Sequence, residues 1–148
     1  MDSRILVEPL LGLKKGDGEI IRNGGGRVNQ DVIRSMIICQ DILGCDTAVA
    51  MHHTDCGGQH AVFHPASLSE HAKYLAFEKL GLAWTDEATK EAQKQGIINM
   101  QPIYPGQLDQ SVRDDVAALR AHPNIKPTTN VYGLVLDTAT GKLRQVVT

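Results

Sequence analysis

The most constraining feature of the sequence is a short apolar run, residues 47–51 (TAVAM), in which polar and apolar residues do not alternate. Such a run is typical of a strand that is buried on both faces, as the strands of a parallel sheet are. A polar segment, MHHTDCGG, overlaps its end at residues 51–58. In open α/β sheets, sites lie just beyond the carboxyl ends of the strands. The sequence therefore predicts a functional site directly after this strand.

Helical and strand-like segments alternate along the rest of the chain. Asn29 is a favourable N-cap for a helix that continues to residue 43, and Gly44 ends it. Residues 111–121 predict an amphipathic helix with Val112, Val116 and Leu119 on one face. The other predicted elements are helices at 6–13, 67–80 and 85–95, strands at 18–22 and 98–104, and a C-terminal hairpin of residues 131–136 and 143–147. This order predicts an α/β fold in a single domain over residues 1–148, with a parallel-sheet core, flanking helices and an antiparallel C-terminal edge.

Composition excludes several classes of function. The chain has 148 residues and a net charge of -2, and no run of Lys or Arg could neutralise a row of phosphates, so we expect no nucleic-acid partner. No apolar stretch approaches the roughly 20 residues of a membrane span, and no signal peptide is visible at the N-terminus. The three cysteines are an odd number, which argues against a disulfide framework and favours a reducing, cytoplasmic location.

Two short patterns carry candidate chemistry. His53 and Cys56 form an H-x-x-C pattern, and imidazole and thiolate are ligands that zinc prefers. The alternative is a polar loop with one partly buried thiol, but Gly57 allows the loop to fold tightly around an ion. Asp2 and Arg4 predict a carboxylate that a neighbouring guanidinium keeps ionised and oriented. The alternative there is a charged, frayed terminus.

Five segments, in order, resemble the β-class carbonic anhydrases: MDSR, IRNGGGRV, HHTDCGG, SVRDDVAALRAHP and VYGLVLDTATGKL. The family has the motifs C-x-D-S-R and H-x-x-C, whose two cysteines and histidine bind zinc. The resemblance implies that His53 and Cys56 are Zn²⁺ ligands. It also implies that Asp2 and Arg4 form a catalytic dyad beside the ion.

The first of these motifs is incomplete in this sequence. Met1 stands at the x of C-x-D-S-R, so we expect the first zinc cysteine, the strand before it and an N-terminal helical arm to precede residue 1. Cys39, within a helix, and Cys45, at a helix-to-strand turn, do not replace it. Either Met1 is an internal methionine or fragment boundary, which we favour because the rest of the motif is intact, or the chain is a naturally shortened relative. Asp2 is then the candidate third metal ligand, and we expect weak zinc binding and poor turnover.

The resemblance implies reversible, zinc-dependent hydration of carbon dioxide to bicarbonate by metal-bound hydroxide. Zinc lowers the pKa of its water from about 15.7 to about 7, values established for a three-histidine carbonic anhydrase and adopted from it. Asp2 would accept a hydrogen bond from the hydroxide while Arg4 holds Asp2 in place. The alternatives are a carbonyl sulfide or carbon disulfide hydrolase on the same fold, and a truncated non-catalytic relative that acts as a binding or scaffold protein. Family members are dimers or larger, so we also expect a homodimer or higher homo-oligomer.

The remaining polar residues of this segment are given other roles. Neighbouring residues of a strand point to opposite faces, so His52 is expected to be packed or hydrogen-bonded and not to bind the metal beside His53. Asp55 is expected to fix the loop as a hydrogen-bond acceptor. His60 and His64 are either proton-shuttling groups or solvated loop residues.

Overall fold

The computed structural model describes residues 1–57, 103 and 106–148. Within them the sheet has the order β1-β2-β3, formed by Thr47–His53, Asn130–Leu136 and Leu143–Val147. β1 and β2 are parallel, whereas β2 and β3 form an antiparallel hairpin. This mixed sheet and the helices that flank it confirm the predicted α/β fold class.

The described α-helices are α1 (Val7–Leu11), α2 (Gln30–Ile38) and α3 (Leu108–Ala121). Gly24–Gly26 forms a short 3-10 helix, and Cys39–Leu43 forms a π-helical turn. The predicted strand at 18–22 is wrong, because those residues form no regular structure. The predicted helices at 67–80 and 85–95, the predicted strand at 98–104 except residue 103, and His60 and His64 lie outside the described residues. No described helix has the length and apolar character that a membrane crossing requires.

The start and end of α2 follow from two residues. The side-chain oxygen of Asn29 accepts a hydrogen bond from the backbone N–H of Val32 at 3.0 Å, as an N-cap does. After the π-helical turn, Gly44 adopts a left-handed conformation with φ of 77°. Both predictions from the sequence are confirmed, and the chain then enters β1.

The core lies on one face of the sheet, where both α2 and α3 pack. Its buried cluster contains Val28, Ile33, Ala50, Val116, Leu119 and Val131. The opposite face is more open: Val49 is 43% exposed and its register partner Tyr132 is 36% exposed. The prediction that β1 is buried on both faces is therefore wrong for Val49. Polar and apolar residues do not alternate in residues 47–51, so the sequence did not indicate which face of β1 is exposed to solvent.

Cys39 and Cys45 form a disulfide across the π-helical turn, whereas Cys56 is free and buried. The odd cysteine count argued against disulfides, and that argument fails for this pair. Its reason is local: the turn that leads from α2 into β1 brings the two Cα atoms to 5.4 Å. A count of cysteines carries no information about such a turn.

We expect Cys45→Ser to lower the free energy of unfolding of the oxidised protein by about 2 kcal/mol, because the short disulfide loop no longer restricts the unfolded chain. Urea unfolding with and without a reducing agent measures this. Under reducing conditions the variant and the unsubstituted protein should have nearly equal midpoints. A difference that persists under reduction would contradict the disulfide as the cause.

Candidate metal centre

His53 is the last residue of β1, and its imidazole has a defined orientation. Nδ1 lies 2.8 Å from the backbone carbonyl oxygen of Thr54. A carbonyl only accepts hydrogen bonds, so Nδ1 carries a proton. Nε2 faces the carboxylate of Asp2, with Oδ2 at 3.8 Å. This is the orientation in which a histidine offers Nε2 to a metal while a carbonyl fixes the ring from the other side.

Asp2 and Arg4 form the pair that the sequence predicts. The guanidinium donates to both carboxylate oxygens, from Nη2 to Oδ2 at 2.6 Å and from Nε to Oδ1 at 3.0 Å. The backbone N–H of Arg4 adds a bond to Oδ1 at 2.9 Å. These hydrogen bonds hold the pKa of the Asp2 carboxyl well below its usual range. Asp2 is therefore an ionised, oriented acceptor directly beside His53.

Arg4 also fixes the loop after β1. Its Nη1 donates to Asp55 Oδ2 at 2.8 Å, and its Nη2 donates to the backbone carbonyl oxygen of Asp55 at 3.1 Å. Asp55 has a φ of 53°, a left-handed conformation that Asp tolerates better than most residues. The prediction that Asp55 fixes the loop as an acceptor is confirmed. Its partner was not predicted.

A pair of threonines, which the sequence reasoning missed, anchors the same loop to the end of β2. The side-chain oxygen of Thr54 accepts from the backbone N–H of Thr138 at 3.0 Å. The Thr138 hydroxyl in turn donates to the Thr54 carbonyl oxygen at 3.2 Å, the same oxygen that His53 contacts. The parallel register that pairs His53 with Leu136 brings these threonines together. Only the strand pairing could have revealed them.

Cys56 lies at the end of the loop with a free thiol and a residue exposure of 4%. Imidazole, thiol and carboxylate are all donor types that suit zinc. In the part of the chain that the structure describes, however, no three His, Cys, Asp or Glu side chains already form a metal-binding group. The residues present fit a zinc ion in chemical type and in the orientation of His53. They do not form a closed cage.

We expect Arg4→Gln to raise the pKa of Asp2 towards its ordinary value near 3.9, because the charge-assisted hydrogen bonds are lost. Carboxyl ¹³C shifts followed through an acid titration measure the change. In the unsubstituted chain the pKa of the Asp2 carboxyl is lower in the folded state than in the unfolded state. The Asp2–Arg4 pair therefore stabilises the folded protein at pH values above the unfolded-state pKa, and this contribution is lost as the pH falls through the folded-state pKa. Arg34→Gln, which removes an exposed guanidinium beside Asp31, is the control and should leave Asp2 unchanged.

Comparison with known proteins shows the family to which the chain is similar. The sequence profile of the carbonic anhydrase family matches residues 1–143. Beta-carbonic anhydrase 1 of Mycobacterium tuberculosis is 33% identical over 151 residues, which cover 99% of this chain and 77% of that protein. The carbon disulfide hydrolase of Acidithiobacillus thiooxidans is 27% identical, with coverage of 97% and 72%. The crystal structure of carbonic anhydrase from Streptococcus mutans matches with a TM-score of 0.75 and 37% identity, over 99% of this chain and 76% of that one.

The parallel β1–β2 pair, its antiparallel edge strand and the flanking helices place the chain in the α/β class. The chain belongs to the β-carbonic anhydrase family. The resemblance stated from five sequence segments is thereby confirmed.

Proposed function

We propose that this chain catalyses the reversible hydration of carbon dioxide to bicarbonate with a Zn²⁺ ion held by His53 and Cys56. The observation that carries the proposal is the ionised Asp2 carboxylate, oriented by Arg4, 3.8 Å from Nε2 of His53. When bound, zinc supplies a nucleophile at neutral pH by acidifying a water molecule, a property known from carbonic anhydrases themselves.

The chain's own residues then have distinct tasks. An ionised carboxylate has no proton to donate, so Asp2 acts only as an acceptor and orients a proton-bearing group next to His53. Arg4 keeps both Asp2 oxygens engaged and joins them to Asp55. The Thr54 carbonyl holds the His53 ring so that Nε2 faces the site. These contacts preorganise the site before a substrate arrives.

Asp2 has a second possible task, as the third zinc ligand. A carboxylate oxygen has lone pairs left after it accepts from Arg4, so the guanidinium does not exclude ligation. A hard oxygen in place of a soft sulfur weakens the affinity for zinc. Metal affinity in Asp2→Asn separates the two tasks: an unchanged affinity with lost turnover supports the acceptor, and a reduced affinity supports the ligand.

A second candidate function is hydrolysis of carbon disulfide or carbonyl sulfide. The observation that favours it is the 27% identity to a carbon disulfide hydrolase over 97% of this chain. The chemistry needs the same zinc-dependent nucleophile, so the residues named above would serve both reactions. The walls of the substrate pocket decide between them.

The test is to load the purified chain with zinc and to measure CO2 hydration by stopped flow and sulfide release from both sulfur compounds. We expect CO2 hydration to exceed sulfide release and Asp2→Asn to lower it about 100-fold, the usual order of effect when one preorganised hydrogen-bonding group is removed from an active site. Asp17→Asn is the matched control, because the Asp17 carboxylate accepts from the backbone N–H of Lys14 in a surface turn. Faster sulfide release would establish the second candidate. A folded, zinc-loaded chain without either activity would establish a non-catalytic relative.

We also propose that the protein is a cytoplasmic homo-oligomer. Three exposed aliphatic residues, Ile38, Ile42 and Leu43, lie together at the end of α2 and support a contact with another chain. The Cys39–Cys45 disulfide argues against a reducing location, because such bonds are rare in the cytosol. Thiol blocking before cell lysis tests the location, because a cytoplasmic protein should carry all three thiols reduced. Light scattering tests the oligomer.

A further inference from the structure

The residue beside His53 is enclosed in a polar cluster that the proposed reaction does not use. The side chain of His52 is fully buried, with an exposure of 0%. Its Nδ1 lies 2.8 Å from Ser111 Oγ, and its Nε2 lies 2.9 Å from Asp115 Oδ2. Both partners belong to α3. An imidazole with each ring nitrogen bonded to a buried partner has a single orientation, so His52 ties the end of β1 to this helix.

Asp115 extends the cluster to the glycine turn before α2. Its second oxygen, Oδ1, lies 3.0 Å from Nη2 of Arg27, and these two side chains are 2% and 11% exposed. Gly26, just before Arg27, lies so close to β1 that a Cβ there would be 2.7 Å from the Met51 carbonyl oxygen. The same Cβ would be 3.4 Å from Cδ2 of His52. The turn, the strand and α3 therefore meet at the His52 ring.

His53 is thus flanked by two fixed residues. On one side, His52 is held by Ser111 and Asp115. On the other, the backbone N–H of Thr54 donates to the Leu136 carbonyl oxygen at 2.9 Å and its hydroxyl is bonded to Thr138. Because successive side chains alternate, His52 and His53 point to opposite faces of β1, so the anchors at His52 and Thr54 act on His53 through the backbone on either side of it along the chain. Together they restrain the His53 backbone, and with it the position from which the imidazole reaches the Thr54 carbonyl oxygen and faces Asp2.

We propose that His52, anchored by Ser111 and Asp115, is a positioning residue that fixes the orientation of the His53 imidazole and its Nδ1-protonated form. Its effect on metal binding rests on the proposed function, whereas its effect on the imidazole does not. A cluster that served only stability would change the unfolding midpoint without changing the His53 ring.

The first experiment uses metal-free protein labelled with ¹⁵N-histidine. In the unsubstituted chain the two ring nitrogens of His53 should give well-separated shifts, because Nδ1 donates to the Thr54 carbonyl oxygen and Nε2 has no such partner among the described residues. Ser111→Ala removes one anchor and keeps the Asp115–Arg27 ion pair, so it should fold while the His53 shifts move towards each other. Ser35→Ala is the control, because the Ser35 hydroxyl donates to the Asp31 carbonyl oxygen of its own helix at 2.8 Å, as the Ser111 hydroxyl donates to the Leu108 carbonyl oxygen at 2.7 Å, but Ser35 lies on α2. Unchanged His53 shifts in Ser111→Ala would overturn the proposal.

The second experiment measures Co²⁺ affinity and the visible spectrum of the bound ion. We expect His52→Leu, which has no bond to either anchor, to lower the affinity about 10-fold, the lower end of the range for losing a group bonded directly to a metal ligand, because His52 acts on His53 through the backbone. His52→Gln, which can still donate to Asp115, should recover part of the affinity and of the spectrum. Equal affinities in all three proteins would overturn the role of His52 in metal binding. If the unsubstituted chain binds no Co²⁺, the proposed metal site fails, and the nitrogen shifts still decide whether His52 positions His53.

Discussion

Replacing His53 with alanine is expected to lower the affinity for zinc more than 100-fold and to abolish CO2 hydration with it. Loss of a group that merely orients a ligand costs about 10- to 100-fold in affinity, so loss of the ligand itself must exceed that range. Nε2 is also the only nitrogen of this ring that can bind an ion, because Nδ1 is committed to the Thr54 carbonyl. Competition against a chromogenic chelator measures the affinity, and stopped flow measures the turnover.

Cys56→Ser provides a second test of the proposed zinc ligands, His53 and Cys56. The substitution keeps a buried side chain of similar size and replaces a soft sulfur with a hydroxyl, which is a poor zinc ligand. We expect it to weaken zinc binding as strongly as His53→Ala. His122→Gln is the matched control, because His122 is a histidine at the end of α3 whose Nδ1 accepts from the backbone N–H of Asn124. Zinc retained by both His53→Ala and Cys56→Ser would mean that the ion binds elsewhere.

Contacts in this site could be predicted from the sequence only where the two residues in contact lie close together along the chain. Asp2 and Arg4 are two residues apart, and their contact was predicted from the tripeptide alone. The other contacts are distant along the chain: Asp55 lies 51 residues from Arg4, Thr138 lies 84 residues from Thr54, and Asp115 lies 63 residues from His52. These contacts depend on strand pairing and helix packing. Sequence reasoning gave His52 a buried, hydrogen-bonded role, and this is confirmed. It could not identify Ser111 or Asp115 as the partners.

The fold shows the same division. The N-cap at Asn29 and the left-handed Gly44 are local properties and were predicted correctly. β1 continues to His53, past the predicted end at residue 51, because His52 is polar yet fully buried by partners from a distant helix. The exposed face at Val49 depends on where both helices pack, which local pattern does not encode. Tertiary packing thus decided the end of β1 and the exposure of Val49, whereas the missed Cys39–Cys45 disulfide follows from a local turn.

Gly133→Ala is expected to lower the free energy of unfolding by about 3 kcal/mol, the upper end of the usual cost of overpacking. Gly133 lies in the middle of β2, where α3 approaches the strand most closely. A Cβ at this position would be 2.5 Å from Cγ1 of Val112, 3.1 Å from Cγ2 of Val116 and 3.3 Å from Cβ of Val147. None of these atoms is the end of a flexible chain, so helix and sheet must separate. Because a domain of this size has a total stability of about 5–15 kcal/mol, the loss is large.

Urea unfolding of metal-free protein measures the effect of Gly133→Ala without interference from zinc. Gly18→Ala is the control, because its nearest new neighbour would be 3.8 Å away and its backbone has no left-handed conformation. We expect that variant to change stability by less than about 0.5 kcal/mol, as surface substitutions do. A Gly133→Ala protein as stable as the Gly18→Ala protein would show that α3 does not pack on β2 as closely as described.

A double-mutant cycle with Val112→Ala identifies the clash as the cause. Val112 is fully buried, so Val112→Ala alone should be destabilising because it leaves a cavity. Combined with Gly133→Ala, it removes the methyl group that lies 2.5 Å from the new Cβ, and the added carbon partly fills the space. The double variant should therefore lose at least about 1 kcal/mol less than the sum of the single losses, since residues in contact couple by that order. Additive losses would mean that Gly133 is required for its backbone freedom and not for the close approach of α3, even though its φ lies outside the left-handed region.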